Sequence, residues 1–231
     1  MRALLAVALL ALAAVPALTV EAQPRRAAAA RDWSRTVVAT PEGGFRMGNP
    51  NARIKIVEYV SLTCPHCAEF AEQGAPRLIR DHVRSGRISL EYRNFVLNAY
   101  DLAAALLSRC AATGDYFALS HAILAAQPQW LSRVQGLSDE QRRQLQSLTP
   151  LEGMQRIVAW VGLDAIAARH GITAAEARAC LADQAGLDRI IAMREAGTAA
   201  GVTGTPSFAV NGRLLDHVHD WATLEPLLTA R

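Results

Sequence analysis

Residues 53 to 70 read R-I-K-I-V-E-Y-V-S-L-T-C-P-H-C-A-E-F, and within them the chain changes character once. Arg53 to Val60 is β-branched and apolar on both faces, which suits a buried parallel strand. After Ser61, Leu62 and Thr63, the run C-P-H-C-A-E-F-A-E-Q reads as a helix, with Pro65 in the first turn, where its missing donor costs little. Cys64 therefore opens a helix. Unpaired N–H groups and the positive end of the macrodipole face its sulfur, and His66 in the same turn adds a donor or a positive charge. A depressed Cys64 pKa is the expectation, with Cys67, one turn further in, as its partner. A local structural bridge is the alternative, but a ring closed over so few residues is strained and stabilises little, which suits a reducible pair better. Glu58 interrupts the strand among apolar neighbours, so it reads as a buried acid beneath the motif, able to take a proton from Cys67.

Downstream, Arg87 to Val96 is a second strand, and the chain is helical from about Asp101 to Gly201. Helices are expected over 101–113, 115–127, 138–148, 150–161 and 185–200, with capping boxes at Ser138/Gln141, Thr149/Glu152 and Thr173/Glu176. Strand character returns at Pro206 to Val210; Asn211-Gly212 is a two-residue type I′ turn leading to Arg213–Leu215, and Asp220 caps a last helix over 221–228. Residues 36–100 and 201–231 together suffice for one small α/β domain, so 101–200 is most simply a helical domain inserted in it. Residues 23–35, with four consecutive alanines, look like a mobile tether.

The first 22 residues, with Arg2, an apolar stretch from Ala3 to Val15, Pro16 and small residues at Ala17 and Ala22, form a secretory signal pattern, cleaved after Ala22 or Ala17; an uncleaved anchor is the alternative. Export to an oxidising compartment favours a structural disulfide between Cys110 and Cys180 over two free buried thiols. The 231 residues are 51% apolar and 19% charged, which excludes a disordered chain. The net charge of +3 is spread along the chain, so no nucleic-acid partner is expected. No second close cysteine pair supports a zinc ribbon, and alanine at 68 excludes covalent haem. His217 and His219 read as ordinary surface residues, and neither a metal nor a cofactor is expected.

The segment E-Y-V-S-L-T-C-P-H-C (58–67), the Thr205-Pro206 pair followed by a strand and an Asn-Gly hairpin, and the helical insertion together resemble the thioredoxin superfamily, and within it the DsbA-like thiol oxidoreductases. The resemblance implies a thioredoxin-like α/β fold with a helical domain inserted between its halves. It implies that Cys64 is the exposed nucleophile, Cys67 the resolving cysteine and Pro65-His66 the dipeptide of strongly oxidising members. Thr205 and Pro206 match the substrate-binding loop that faces the disulfide, with the proline cis, and Glu58 matches the family's buried acid. An exported, periplasmic enzyme is implied, monomeric, introducing disulfides into unfolded or reduced secreted proteins and reoxidised by a DsbB-like quinone-linked membrane partner. Threonine at 205, where the best-known DsbA enzymes have valine, also occurs in disulfide isomerases. An isomerase or reductase role stays open, as does a non-enzymatic chaperone or binding module on the same scaffold.

Overall fold

The β-branched run becomes the centre of a sheet. The computed structural model describes residues 31 to 229, so the expected signal segment 1–22 and residues 23–30 of the expected tether lie outside the described residues. Strands β1 (Val37–Ala39), β2 (Phe45–Gly48), β3 (Ile54–Val60), β4 (Ile88–Asn94), β5 (Ser207–Val210) and β6 (Arg213–Leu214) form one sheet in the order β1-β2-β4-β3-β5-β6. Only β3 and β4 run parallel; β5 pairs antiparallel with β3 on its other side. Flanked on both edges, β3 carries its C-terminal end, and the cysteine motif after it, to the middle of the sheet.

From Pro65 the chain is helical to Val83: α1 (Pro65–Glu69), a π-helical stretch Phe70–Gly74, α2 (Ala75–Leu78) and a second π stretch Ile79–Val83. Between β4 and β5 lie α3 (Ala99–Ser108), α4 (Tyr116–Ala125), α5 (Gln127–Gln135), α6 (Asp139–Ser147), α7 (Pro150–Val161), α8 (Leu163–Arg169), α9 (Ala174–Cys180) and α10 (Gln184–Ala199), and α11 (Trp221–Thr229) closes the chain. All three capping boxes form with both reciprocal hydrogen bonds. The Asn211-Gly212 turn has φ of 52° and 83°, the left-handed pair that a type I′ hairpin needs. No described helix is long and apolar enough to cross a membrane.

Three features differ from the sequence reading. The helix expected over 101–113 begins earlier, because the Asn98 side chain caps it by accepting from the Tyr100 and Asp101 N–H groups, and it ends at Ser108. Strands β1 and β2 carry no alternation long enough to announce them. The tether is shorter than expected at its C-terminal side: Trp33–Arg35 form a 3-10 turn capped by Asp32, which pairs with Arg84 at 3.3 Å, while the Trp33 N–H donates to the Arg84 carbonyl.

The helices between β4 and β5 are an insertion in chain order, yet they share one core with the sheet. Phe45 of β2 stacks on Tyr116 of α4 with ring centroids 3.9 Å apart, and Tyr92 of β4 packs on Phe117 at 4.7 Å. Residues from β2, β3, β4, β5 and every helix from α3 to α11 except α6 belong to one continuous hydrophobic cluster, and Leu145 of α6 packs against it. Cys110 and Cys180 are joined in a disulfide, with Cα atoms 5.7 Å apart, linking the segment after α3 to the end of α9.

Candidate active site

Cys64 caps α1 in an extended conformation (φ −83°, ψ 123°) with Pro65 at the first helical position, so the first-turn N–H groups converge near its sulfur. Cys64 and Cys67 are both free thiols. In its thiol form Cys64 donates to the Thr205 carbonyl at 3.1 Å; for the thiolate, the otherwise unpartnered Thr205 hydroxyl is at hand. The Cys64 pKa falls to about 5, chiefly because the Cys67 thiol donates to it, with help from Thr205 and the backbone N–H groups of Cys67 and His66, against the opposing effect of burial. Cys67 moves the other way, pushed well up first by burial, then by donating to Cys64 and by the Glu58 charge nearby. One sulfur holds its negative charge while the other keeps its proton.

Of two expectations about this turn, the donor from His66 is present in the backbone and the exposure of Cys64 needs correction. His66 acts on the sulfur through its backbone N–H, since its exposed ring lies toward Glu69, with Nδ1 3.7 Å from the carboxylate. Cys64, expected to be exposed, is only 7% accessible, because the Thr205-Pro206 loop lies over the sulfur; Cys67 is fully enclosed. The Thr205-Pro206 peptide bond is cis. The His219 Nδ1 is 2.8 Å from the Pro206 carbonyl and braces that loop.

Glu58 is fully buried in β3, neither carboxylate oxygen has a close hydrogen-bond partner, and its pKa is driven well up by desolvation. The loop before Cys64 is held by groups that sequence reading missed. Asp101 of α3, also fully buried, accepts from the Leu62 N–H at 2.8 Å and the Leu97 N–H at 2.9 Å, so it holds the loop before Cys64 from below. Burial raises its pKa to about 6 in spite of those bonds. The Gln127 amide donates to the Leu62 carbonyl at 2.9 Å and the Cys64 carbonyl at 3.0 Å, clamping the same loop from the helical side. The contacts to Leu62 and Cys64 span 39 to 65 residues of chain, and no local pattern marks them.

Residues 40–230 match the sequence family described as Thioredoxin. A protein-disulfide isomerase from Novosphingobium aromaticivorans, known from its crystal structure, is 33% identical and superposes with a TM-score of 0.77, over 82% of this chain and 97% of that one. A Rickettsia bellii protein described, provisionally, as a protein-disulfide oxidoreductase is 31% identical over 173 residues, which are 74% of this chain and 58% of its own length. The chain thus spans little more than half of the curated relatives it matches. Wolbachia pipientis α-DsbA1, at 24% identity with a TM-score of 0.60 over 80% of this chain and 88% of that one, shares the fold. A sheet built around β3, an active-site helix opened by Cys-Pro-His-Cys, a cis proline facing it and a match over most of the chain lead to one assignment: the chain belongs to the thioredoxin family and has a thioredoxin-like fold with inserted helices.

Proposed function

We propose that the protein is a thiol:disulfide oxidoreductase that acts as an oxidant of unfolded, reduced proteins in an oxidising compartment such as the periplasm. The observation that carries this reading is the asymmetry of the two thiols, with Cys64 drawn down to about 5 and Cys67 pushed up. In the oxidised form a substrate thiolate attacks the Cys64 sulfur, the Cys64–Cys67 bond breaks, and Cys67 leaves and takes up a proton. A second substrate thiolate then attacks the substrate sulfur of the mixed disulfide and expels Cys64 as a stabilised thiolate. The substrate loses two electrons and the enzyme gains them. Stabilising the Cys64 thiolate favours the reduced enzyme, so the disulfide is an oxidant and a separate partner must restore it; a quinone-linked membrane protein of the DsbB kind fits that need. Beside the motif, Leu97 is 49% exposed and adjoins Asn98, whose amide donates to the Thr63 hydroxyl at 3.2 Å. That apolar surface, together with the Thr205-Pro206 loop, suits an extended, unfolded chain. The Cys110–Cys180 bridge and the signal pattern of residues 1–22 support export.

A second reading, a disulfide isomerase, is favoured by Thr205 before the cis proline and by the name of the Novosphingobium neighbour. One pair of assays separates the two. The oxidised protein should form disulfides in a fully reduced, unfolded substrate stoichiometrically and without other oxidant, and Cys64→Ser should abolish this. Preferential rescue of a scrambled, already oxidised substrate by the reduced protein would assign the isomerase role instead.

A further inference from the structure

The exchange reading leaves a proton to be accounted for. Cys67 must gain one when it leaves Cys64 and lose one when the enzyme is reoxidised, yet Cys67 and the Glu58 carboxyl beside it are both fully enclosed. A charge stranded there is costly, so the proton needs a route out.

We propose that Tyr92 and His121 form that route, a relay joining the Glu58 carboxyl, and through it the Cys67 sulfur, to a cavity beside the active-site helix. The proposal rests on the exchange chemistry above. Tyr92 lies directly opposite Glu58 in the parallel β3–β4 ladder and is fully buried; its hydroxyl is near enough to hold the Glu58 pKa down against burial, although no direct hydrogen bond reaches either carboxylate oxygen. The same hydroxyl is 2.9 Å from Nε2 of His121 on α4. His121 is half-buried and lines a cavity of about 550 Å³ whose wall includes Pro65, Ala68 and Glu69. Three proton-bearing groups therefore stand in series between an enclosed sulfur and open space. The hydroxyl is hydrogen-bonded to a titratable ring on one side and has a titratable carboxyl as its neighbour on the other.

The bookkeeping closes without electrons. The Cys67 thiol passes its proton to the Glu58 carboxylate; the Glu58 carboxyl passes one to the Tyr92 oxygen as Tyr92 gives its own to His121 Nε2; and His121 releases its Nδ1 proton to the cavity. The reverse order brings a proton in. Burial lowers the His121 pKa to about 4, which keeps the ring neutral and leaves one ring nitrogen without a proton; the relay uses the tautomer in which that nitrogen is Nε2. The titratable groups facing the relay are Cys64, Cys67 and Tyr116 around Glu58 and Tyr92, and Glu69 and Glu72 across the cavity from His121. Neither Tyr92 nor His121 touches a reacting sulfur, so both are positioning residues that act through Glu58.

The test follows the two steps of oxidation by glutathione disulfide in the full chain: formation of the Cys64–glutathione mixed disulfide, then its resolution by Cys67, read by acid quench and mass spectrometry. His121→Ala and Tyr92→Phe should leave formation unchanged and slow resolution about tenfold or more, with the pH profile of that step altered. Added imidazole should restore the His121→Ala rate through the cavity and leave Tyr92→Phe slow. Tyr92→Phe keeps the ring that packs on Phe117, so it retains the core if His121→Ala loosens it. Resolution within about twofold of the parent in both variants would overturn the relay. So would slowing that imidazole does not relieve and that leaves the pH profile unmoved, which is the mark of a packing role. A parent protein that forms no mixed disulfide at all would instead overturn the exchange reading beneath it.

Discussion

Two sulfurs three positions apart have opposite protonation because one sits at the mouth of a helix and the other inside it. Cys64 receives donors from Cys67, Thr205 and the first-turn backbone, whereas Cys67 is enclosed beside a carboxyl. Iodoacetamide at pH 6 should therefore alkylate Cys64 alone in the reduced protein, with the rate half-maximal near pH 5; equal labelling of both thiols would contradict this electrostatic account. Asp101 gives a second residue-scale prediction. Its folded pKa of about 6 lies above the unfolded value of 3.8, so the folded state binds the extra proton; this stability is fully present below the unfolded pKa and is lost as pH rises through about 6. From pH 4 to pH 7 the unfolding free energy of the parent should fall by about 2 kcal/mol relative to Asp101→Asn, measured by urea titration at each pH. A pH-independent difference would show that Asp101 is ionised throughout.

At the scale of elements, what could be read in the sequence follows the reach of each signal. The capping boxes at Ser138, Thr149 and Thr173 and the Asn211-Gly212 hairpin are complete within four residues or fewer, and they form as read. The strand before Cys64 was legible because it is a continuous β-branched run, and the helix after it because proline follows the cysteine. What stayed hidden acts over distance or lacks a period. Strand β2 is four residues ending in glycine, and Gln127 reaches the Cys64 carbonyl across 63 residues. Tyr92 and His121 lie 29 residues apart on elements whose contact only the folded core creates. The Cys110–Cys180 bridge, also long-range, was expected from the export pattern, and it joins the segment after α3 to the end of α9 across 70 residues. By the loop-entropy argument, replacing both cysteines by serine should cost about 4 kcal/mol of stability, with native-state contacts shifting that figure either way. Thermal and urea unfolding of the double variant check it, and a loss under about 1 kcal/mol would show that α3 and α9 are held together by packing alone.

For the whole molecule, the sheet order places β3 in the middle, so the motif at its end is met from every side: Thr205-Pro206 from the strand beside it, Gln127 and Asp101 from the inserted helices, Glu58 and Tyr92 from below. The inserted helices are thus part of the site as much as part of the core. This arrangement supports a single claim, that the fold stabilises the reduced Cys64 thiolate and so makes the disulfide an oxidant. The equilibrium reduction potential of the Cys64–Cys67 couple, measured against glutathione at neutral pH, tests that claim most directly. The account predicts a value nearer to about −120 mV, at the oxidising end of the thiol-exchange proteins, and a value near about −270 mV, where a reductant would sit, would contradict it.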